Sequence, residues 1–473
     1  MRAAWGMALL LIVSAACTDT VRSTRRVIDA GVDAGHDAGP PDAGPPDAGP
    51  PDAGPPDAGP PDAGPPDAGP PDAGPPDAGW SGVWEPLGPP LGHEAQVYPA
   101  MTLDASGTPL VAYAELIESP GVVATELHVV RWSGTTWEPL GGTVTSTTNR
   151  LPYTAPLFVR LAMDGTGRPV LAFGDSGPGA AVGAFPLKTW CFDGSAWHVL
   201  PLPVTAPHLS GIALDEGSDG QVRLVLATGH ELRVLVLGAS GWSEVLAPLV
   251  DDAGVSEPDL ALAADGTPVL VFSEAASPGS FGSLRAVRWS GDAGWADLGL
   301  PSPEGVGLLF HSPRIRERTD GGLVVAASEW QFDELSKVQM GIAVPVFALG
   351  DVGWSLLERD GVPGGAALSE PIPGSPVDLQ LSSDVPVVVS TGRDGGVSLR
   401  ALVAPGAAKL APVLGGLGAG TLILLPDGSS LVGAVTPVSQ EIGPDQADGG
   451  QVQILHFTGT PSSLSRSAAQ RSR

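Results

Sequence analysis

The sequence predicts an all-β fold in which seven four-stranded antiparallel units close into a ring. A short hydrophobic strand introduced by a tight glycine turn recurs seven times, and six of the seven copies begin with tryptophan. The copies start at Trp84, Trp137, Trp197, Trp242, Trp295, Trp354 and, in degraded form, Ala411. Their mean spacing of about 54 residues is typical of a four-stranded unit in a closed ring. Helical periodicity of any length is absent, which favours strands throughout.

The N-terminus has the pattern of an export signal. Arg2 precedes an apolar run at residues 7–13, which ends in Ser-Ala-Ala-Cys at residues 14–17. Because a membrane span needs about twenty apolar residues, we expect residues 1–16 to be a cleaved signal peptide. The segment resembles the lipobox of bacterial lipoproteins, in which the cysteine is acylated and becomes the first residue. The resemblance implies lipid attachment at Cys17 and a membrane partner; ordinary secretion is the alternative, because serine replaces the usual leucine.

Residues 17–79 are expected to form a disordered linker between the anchor and the ring. Asp-Ala-Gly recurs eleven times there, mostly within Pro-Asp-Ala-Gly-Pro. Proline pairs favour polyproline II and the aspartates repel one another, so the linker should be a solvated spacer that reaches on the order of 150 Å. Calcium binding by the aspartates is the alternative, but it requires about six to eight oxygens around one centre.

Charge and cysteine content limit the partners. The formal net charge is −28, most of it beyond the linker, so nucleic acid is excluded as a partner because its binding needs concentrated Lys and Arg. A glycan or a protein ligand stays open. The chain has two cysteines; if Cys17 is acylated, Cys191 has no disulfide partner and is expected to be a small buried hydrophobe.

One repeat shows the strand order most clearly, with strands predicted at 98–104, 108–115, 126–132 and 137–142. The pattern resembles a β-propeller, a superfamily that includes kelch, WD-repeat and sialidase proteins. The resemblance covers residues 80–466, and residues 467–473 are expected to be a disordered tail. It implies the fold but no function, because the kelch double glycine and the Trp-Asp dipeptide are missing. The tryptophans are then expected to pack between blades. One terminal strand is spare, so either the strand of Trp84 or residues 462–466 must complete the last blade.

Loop lengths indicate which face of the ring binds a ligand. Connections after second strands, such as 116–125 and 330–337, and after fourth strands are predicted to be long, and alternate connections of a blade share one face. The second strand ends in an acidic residue in four blades: Glu115, Asp175, Glu274 and Glu329. This acidic rim predicts a site for a cation, sugar hydroxyls or a basic peptide. The alternative is charge placed at strand ends for solubility and against edge pairing.

Three arginines alternate along one predicted first strand, Arg314, Arg316 and Arg318. They are similar in type to the cluster by which sialidases hold a carboxylate, but they are expected to stay on one strand, without others converging from several blades. No catalytic residues can be assigned, since only Tyr98, Tyr113 and Tyr153 could serve as a tyrosine nucleophile. The histidines lack metal-ligand spacing, so neither a metal nor a cofactor is predicted.

These observations predict an exported, membrane-anchored lipoprotein at the outer membrane or cell surface. Its propeller, a monomer, would serve as a binding or structural scaffold without enzymatic activity. A glycan-active enzyme, a sialidase-like hydrolase or a lyase acting on the variable-loop face, is the first alternative, and an assembly factor of the cell envelope is the second.

Overall fold

The computed structural model describes residues 80, 82–92, 98–119, 122–148, 157–175, 186–206, 209–217, 219–275, 282–299, 308–332, 339–361, 377–391, 396–404, 407–411, 418–436 and 450–459. The predicted signal peptide, Cys17, the linker, residues 462–466 and the tail lie outside them. Within the described part of the chain, no helix has the length and apolarity that crossing a membrane requires.

Four antiparallel sheets follow one another in the first part of the chain, each with its strands in sequence order. Blade 1 contains β2 (Ala100–Leu103), β3 (Pro109–Ser119), β4 (Val122–Trp132) and β5 (Trp137–Thr148). Blade 2 contains β6 (Leu157–Met163), β7 (Pro169–Gly174), β8 (Leu187–Phe192) and β9 (Trp197–Val199). Blade 3 contains β10 (Gly211–Glu216), β11 (Val222–Thr228), β12 (Glu231–Gly238) and β13 (Gly241–Glu244), with the added β14 (Leu249–Val250). Blade 4 contains β15 (Gly254–Leu262), β16 (Pro268–Ala275), β17 (Gly282–Trp289), a short 3-10 helix (Gly291–Ala293) and β18 (Trp295–Asp297).

Three further sheets complete the ring. Blade 5 contains β19 (Leu308–Glu317), β20 (Leu323–Phe332), β21 (Gln339–Gly350) and β22 (Gly353–Gly361). Blade 6 contains β23 (Asp378–Ser382), β24 (Val385–Thr391), β25 (Val397–Ala404) and β26 (Ala407–Leu410). Blade 7 contains β27 (Gly418–Leu424), β28 (Ser430–Val435), β29 (Val452–Phe457) and the N-terminal β1 (Trp84–Pro86). The first strands of neighbouring blades touch all around the axis, with β27 reaching β2. The predicted all-β, seven-bladed propeller is confirmed.

The strand of Trp84 completes blade 7. β1 pairs with β29, and Trp84 lies opposite Phe457 in the register. An isolated bridge between Leu91 and Val452 extends this pairing, and the indole nitrogen of Trp80 donates to the carbonyl oxygen of Gly459 at 3.1 Å. Both ends of the described chain therefore meet in one blade.

The recurrent tryptophans lie between neighbouring blades. Each of five donates its indole hydrogen to the preceding blade or the segment leaving it: Trp137 to Leu87, Trp197 to Leu140, Trp242 to Thr189, Trp295 to Ala247 and Trp354 to Leu298. Where the repeat has Ala411 in place of tryptophan, the same buried cluster contains Trp80. The repeated residue thus gives each blade boundary an apolar plug with one directed hydrogen bond.

Two predicted long loops are partly strand. Residues 116–119 continue β3 and residues 122–125 begin β4, so the predicted loop at 116–125 was wrong. The first three residues of the predicted loop at 330–337 are also strand, because β20 runs to Phe332. β-branched residues such as Ile117 and Val123 explain the extended hairpin, since their side chains favour strand conformations.

Candidate binding site in the central channel

A cavity of about 440 Å³ lies in the central channel, and we call it the channel cavity. It is lined by the first strands and the residues just before them. Its charged lining residues come from five blades: Arg160, Asp215, Glu216, Asp259, Arg314, Arg316 and Asp378. Tyr98, Thr102, Gln380 and Thr421 add neutral polar groups. The propeller axis is therefore a polar, charged pocket of the size that small ligands occupy.

Strand alternation explains how these side chains reach the axis. In β19, Ile315 separates Arg314 from Arg316, and in β23, Leu379 separates Asp378 from Gln380. Both intervening side chains are fully buried in the apolar clusters between blades. Because successive strand residues point to opposite sides, the polar neighbours face the channel.

A β-bulge precedes three of the charged residues. The register shifts immediately before Arg160, Asp259 and Arg314. At each shift, the residue two positions earlier has a left-handed backbone, with φ of 57° at Phe158, 49° at Glu257 and 48° at Ser312. Such angles are unfavourable for residues other than glycine, and bulges of this kind redirect the side chains that follow. The same local distortion thus positions three charges in three different blades.

The carboxylates of the channel cavity connect adjacent blades. Asp259 Oδ2 accepts hydrogen bonds from the backbone nitrogen of Ile315 at 2.8 Å and from Arg316 Nη1 at 3.0 Å. Asp378 Oδ2 accepts one from the backbone nitrogen of Leu422 at 2.8 Å. Both acids therefore have a structural role in joining one blade to the next.

The three arginines of the channel cavity differ in their partners. Arg316 pairs with Asp259, and the nearby carboxylates raise its pKa above the ordinary value although burial opposes this. Arg314 Nε lies 3.6 Å from Asp378 Oδ1. Arg160 donates to the carbonyl oxygen of Val159 at 3.0 Å, and no carboxylate of the described residues forms an ion pair with it. Burial, followed by repulsion from Arg314, lowers the pKa of Arg160 to about 10.

One carboxyl group of the channel cavity has a pKa raised toward neutrality by burial. Burial raises the pKa of Asp215 to about 6, with Arg316 opposing this and Asp259 adding to it. Burial also raises the pKa of Tyr98 to about 12. At neutral pH and slightly below, Asp215 can therefore accept or donate a hydrogen bond to a bound hydroxyl group.

The structure places the predicted acidic rim apart from the channel cavity. Asp175 and Glu274 lie at the end of a second strand, but β3 and β20 continue past Glu115 and Glu329, so their predicted position at a strand end was wrong. Three of its members face a basic side chain of the third strand: Glu115 lies 3.2 Å from His128, Asp175 contacts Lys188, and Glu274 lies 3.4 Å from Arg285. Glu329 is only 2% exposed. Ligand binding by the rim stays a prediction.

Sequence reasoning missed most of the channel cavity. It singled out Arg314 and Arg316 but expected no arginine from another blade, and Arg160 of blade 2 corrects that expectation. Arg318 lies in the turn after β19, where its backbone nitrogen donates to Gly322. The sequence does contain a signal for the channel residues. When the first strands are aligned on the turns that follow them, one position is shared by Arg160, Asp259, Arg314 and Asp378. Among the described residues, no group of histidine, cysteine or acidic side chains could hold a metal ion.

Comparison with known proteins supports the fold. No protein-family model and no curated protein match the chain. Two solved structures of an ulvan lyase, described as a new family of polysaccharide lyase, match with TM-scores of 0.51 and 0.50 at 12% and 11% identity, each over 82% of this chain and 99% of theirs. A protein of unknown function from Dyadobacter fermentans matches with a TM-score of 0.44 and 13% identity over 79% of this chain and 98% of its own. At these identities the likeness to the ulvan lyase structures shows the fold alone.

Proposed function

We propose that this protein is an exported lipoprotein that presents its propeller as a binding module, with the ligand in the channel cavity. The acyl chains on Cys17 would hold it at the outer membrane or cell surface. The linker of residues 17–79 would separate the propeller from that membrane. The acidic rim on the second strands is a second candidate surface for a protein or glycan.

The observation that carries this proposal is the convergence of charged side chains from five blades on one cavity. Buried charges are costly unless they are paired or used. Joining adjacent blades accounts for Asp259 and Asp378, which bond to the next first strand. It does not account for Arg160, whose described hydrogen bond goes to the carbonyl of Val159 in its own strand. A ligand gives that guanidinium a role.

A glycan-active enzyme is the second candidate, and Asp215 is the observation that favours it. A carboxyl group with a pKa of about 6 is suited to proton transfer near neutral pH. The ulvan lyase structures share the fold, and one of them is described as bound to -[GlcA(1-4)Rha3S]-. New reducing ends or unsaturated products on incubation with bound glycans would favour catalysis over binding.

Blocking the channel cavity tests the binding function without assuming the charge of the ligand. Thr102 lines the cavity, and Thr102→Phe should fill part of it and abolish binding of any glycan that the parent protein retains on an array. Thr136→Phe places the same side chain on an exposed turn of blade 1 and should leave binding unchanged. Equal array signals from parent and Thr102→Phe, with folding intact, would remove the channel cavity as the site.

A further inference from the structure

We propose that Arg160 and Arg314 together bind the carboxylate of an acidic sugar inside the channel cavity. The two guanidinium groups come from blades 2 and 5 and line the same cavity. This inference rests on the proposed binding function and names the class of its ligand.

The ion pairs and hydrogen bonds of the three arginines indicate which two keep donors for a ligand. Arg316 is engaged, because it donates to Asp259 at 3.0 Å. Arg314 donates to the carbonyl of Pro313 at 2.9 Å, and its contact with Asp378 is longer than a hydrogen bond at 3.6 Å. Arg160 has no ion pair among the described residues and one hydrogen bond, to its neighbouring carbonyl. Guanidinium groups have five donors, so both keep donors for a ligand.

Mutual repulsion makes these two arginines receptive to an anion. After burial, repulsion from Arg314 is the main cause that lowers the pKa of Arg160, and the carboxylates of Asp259, Asp378 and Glu257 oppose it only in part. An oxyanion between two like charges removes that repulsion and accepts charge-assisted hydrogen bonds, which are about twice as strong as neutral ones. The bulges before Arg160 and Arg314 hold both side chains in position before the ligand arrives.

The acidic side chains of the channel cavity limit the negative charge that a ligand can carry. Asp259 and Asp378 border the same cavity and stay bonded to the neighbouring blades. A doubly charged phosphate would be repelled by both of them, whereas a carboxylate adds one charge only. A carboxylate also matches the planar fork of a guanidinium group.

The rest of the cavity fits sugar hydroxyl groups. Asp215, Gln380 and Thr421 present carboxyl, amide and hydroxyl groups along its wall. Its volume of about 440 Å³ is within the range of small-ligand sites and suits one or two sugar rings. The charged end of the ligand would lie at Arg160 and Arg314, and its hydroxyl groups would meet the other polar side chains.

Calorimetry of the full chain with three probes tests this assignment. Glucuronate should bind at least about tenfold more tightly than glucose, which has the same ring without the carboxylate. Glucose 6-phosphate, the doubly charged probe, should bind more weakly than glucuronate. Arg160→Gln should lower the affinity for glucuronate at least about tenfold and leave glucose unaffected. Arg168→Gln is the matched control in blade 2, because Arg168 pairs with Asp164 at 2.7 Å and does not line the cavity.

The outcomes separate this inference from the proposed function. Equal binding of glucuronate and glucose, no binding of glucuronate, or an unchanged Arg160→Gln variant would each overturn the anion assignment. Tighter binding of glucose 6-phosphate would replace the carboxylate by a phosphate and overturn it as well. If the glucuronate tests fail in one of these ways while a neutral glycan binds the parent and is lost in Thr102→Phe, the binding function stands and the inference fails. Should Arg160→Gln not fold, Arg160→Lys keeps the charge and should show a smaller but measurable loss.

Discussion

The indole nitrogen of Trp242 lies 3.0 Å from Thr189 Oγ1, so the tryptophan of blade 3 donates a hydrogen bond to the middle of blade 2. Thr189 Oγ1 in turn donates to the carbonyl oxygen of Leu200 at 2.7 Å. The other four tryptophans with described bonds to a preceding blade or segment donate to backbone carbonyls instead. The boundary between blades 2 and 3 is therefore held by a short chain of side-chain hydrogen bonds inside an apolar cluster.

Trp242→Ala is expected to lower the free energy of unfolding by about 3 to 5 kcal/mol, because it leaves a cavity and removes the donor to Thr189. Glu274→Ala, on the rim, should cost less than about 0.5 kcal/mol, since Arg285 keeps its contacts with Asp251 and Asp297. Urea unfolding of both variants measures the contrast. Similar losses in the two would mean that the tryptophan is not a core residue.

Asp215→Asn should stabilise the protein at neutral and higher pH. Because burial raises the pKa of Asp215 to about 6, the folded state holds this proton more tightly, and stability falls as pH rises from about 4 to about 6. The amide removes that loss, so the gain above pH 7 should be on the order of 2 kcal/mol and should vanish below about pH 4. Asp219→Asn is the control with the opposite sign, since a hydrogen bond from Arg223 lowers the pKa of Asp219 to about 2. A gain for Asp215→Asn that is independent of pH would contradict the ionisation argument.

Deleting residues 28–79 should leave the midpoint of thermal unfolding nearly unchanged. Apart from Ile28 and Val32, this segment of Pro, Asp, Ala and Gly repeats has no large apolar side chains to contribute to the core of the ring. Scanning calorimetry of the parent and the shortened chain provides the comparison. A fall of more than a few degrees would show that the linker packs on the propeller.

Cys17→Ala should prevent lipidation and release or mislocalise the protein. The thiol is the only acylation point that the lipobox resemblance provides, and without acyl chains the propeller has no stable hold on a bilayer. Metabolic labelling with a fatty acid, followed by fractionation, measures both effects. Equal labelling of parent and variant would place the lipid elsewhere or remove it.

The repeat of tryptophan made the blade number predictable, because each copy stands at the start of an outermost strand and its spacing counts the blades. The closing strand was not predictable, since the sequence offers a candidate at each end of the ring and the choice depends on pairing with β29. The bulges at Phe158, Glu257 and Ser312 were invisible as well, because left-handed backbone at residues other than glycine has no compositional signal. The strand alignment could have identified Arg160 as a channel residue, but its place in the same cavity as Arg314 depends on two such bulges and on ring closure.

Pairing Trp84 with Phe457 makes the order of synthesis matter for folding. β1 emerges from the ribosome first but has no partner until the last described strand has been made, so the ring stays open with unpaired edges during most of translation. Such long-range pairing slows folding, because a very large loop must close before its contacts form. A product truncated before β29 would lack the strand that pairs with β1. Such a product would expose an unpaired sheet edge in place of a closed ring. Quality-control proteases could then distinguish incomplete chains from complete ones by that edge.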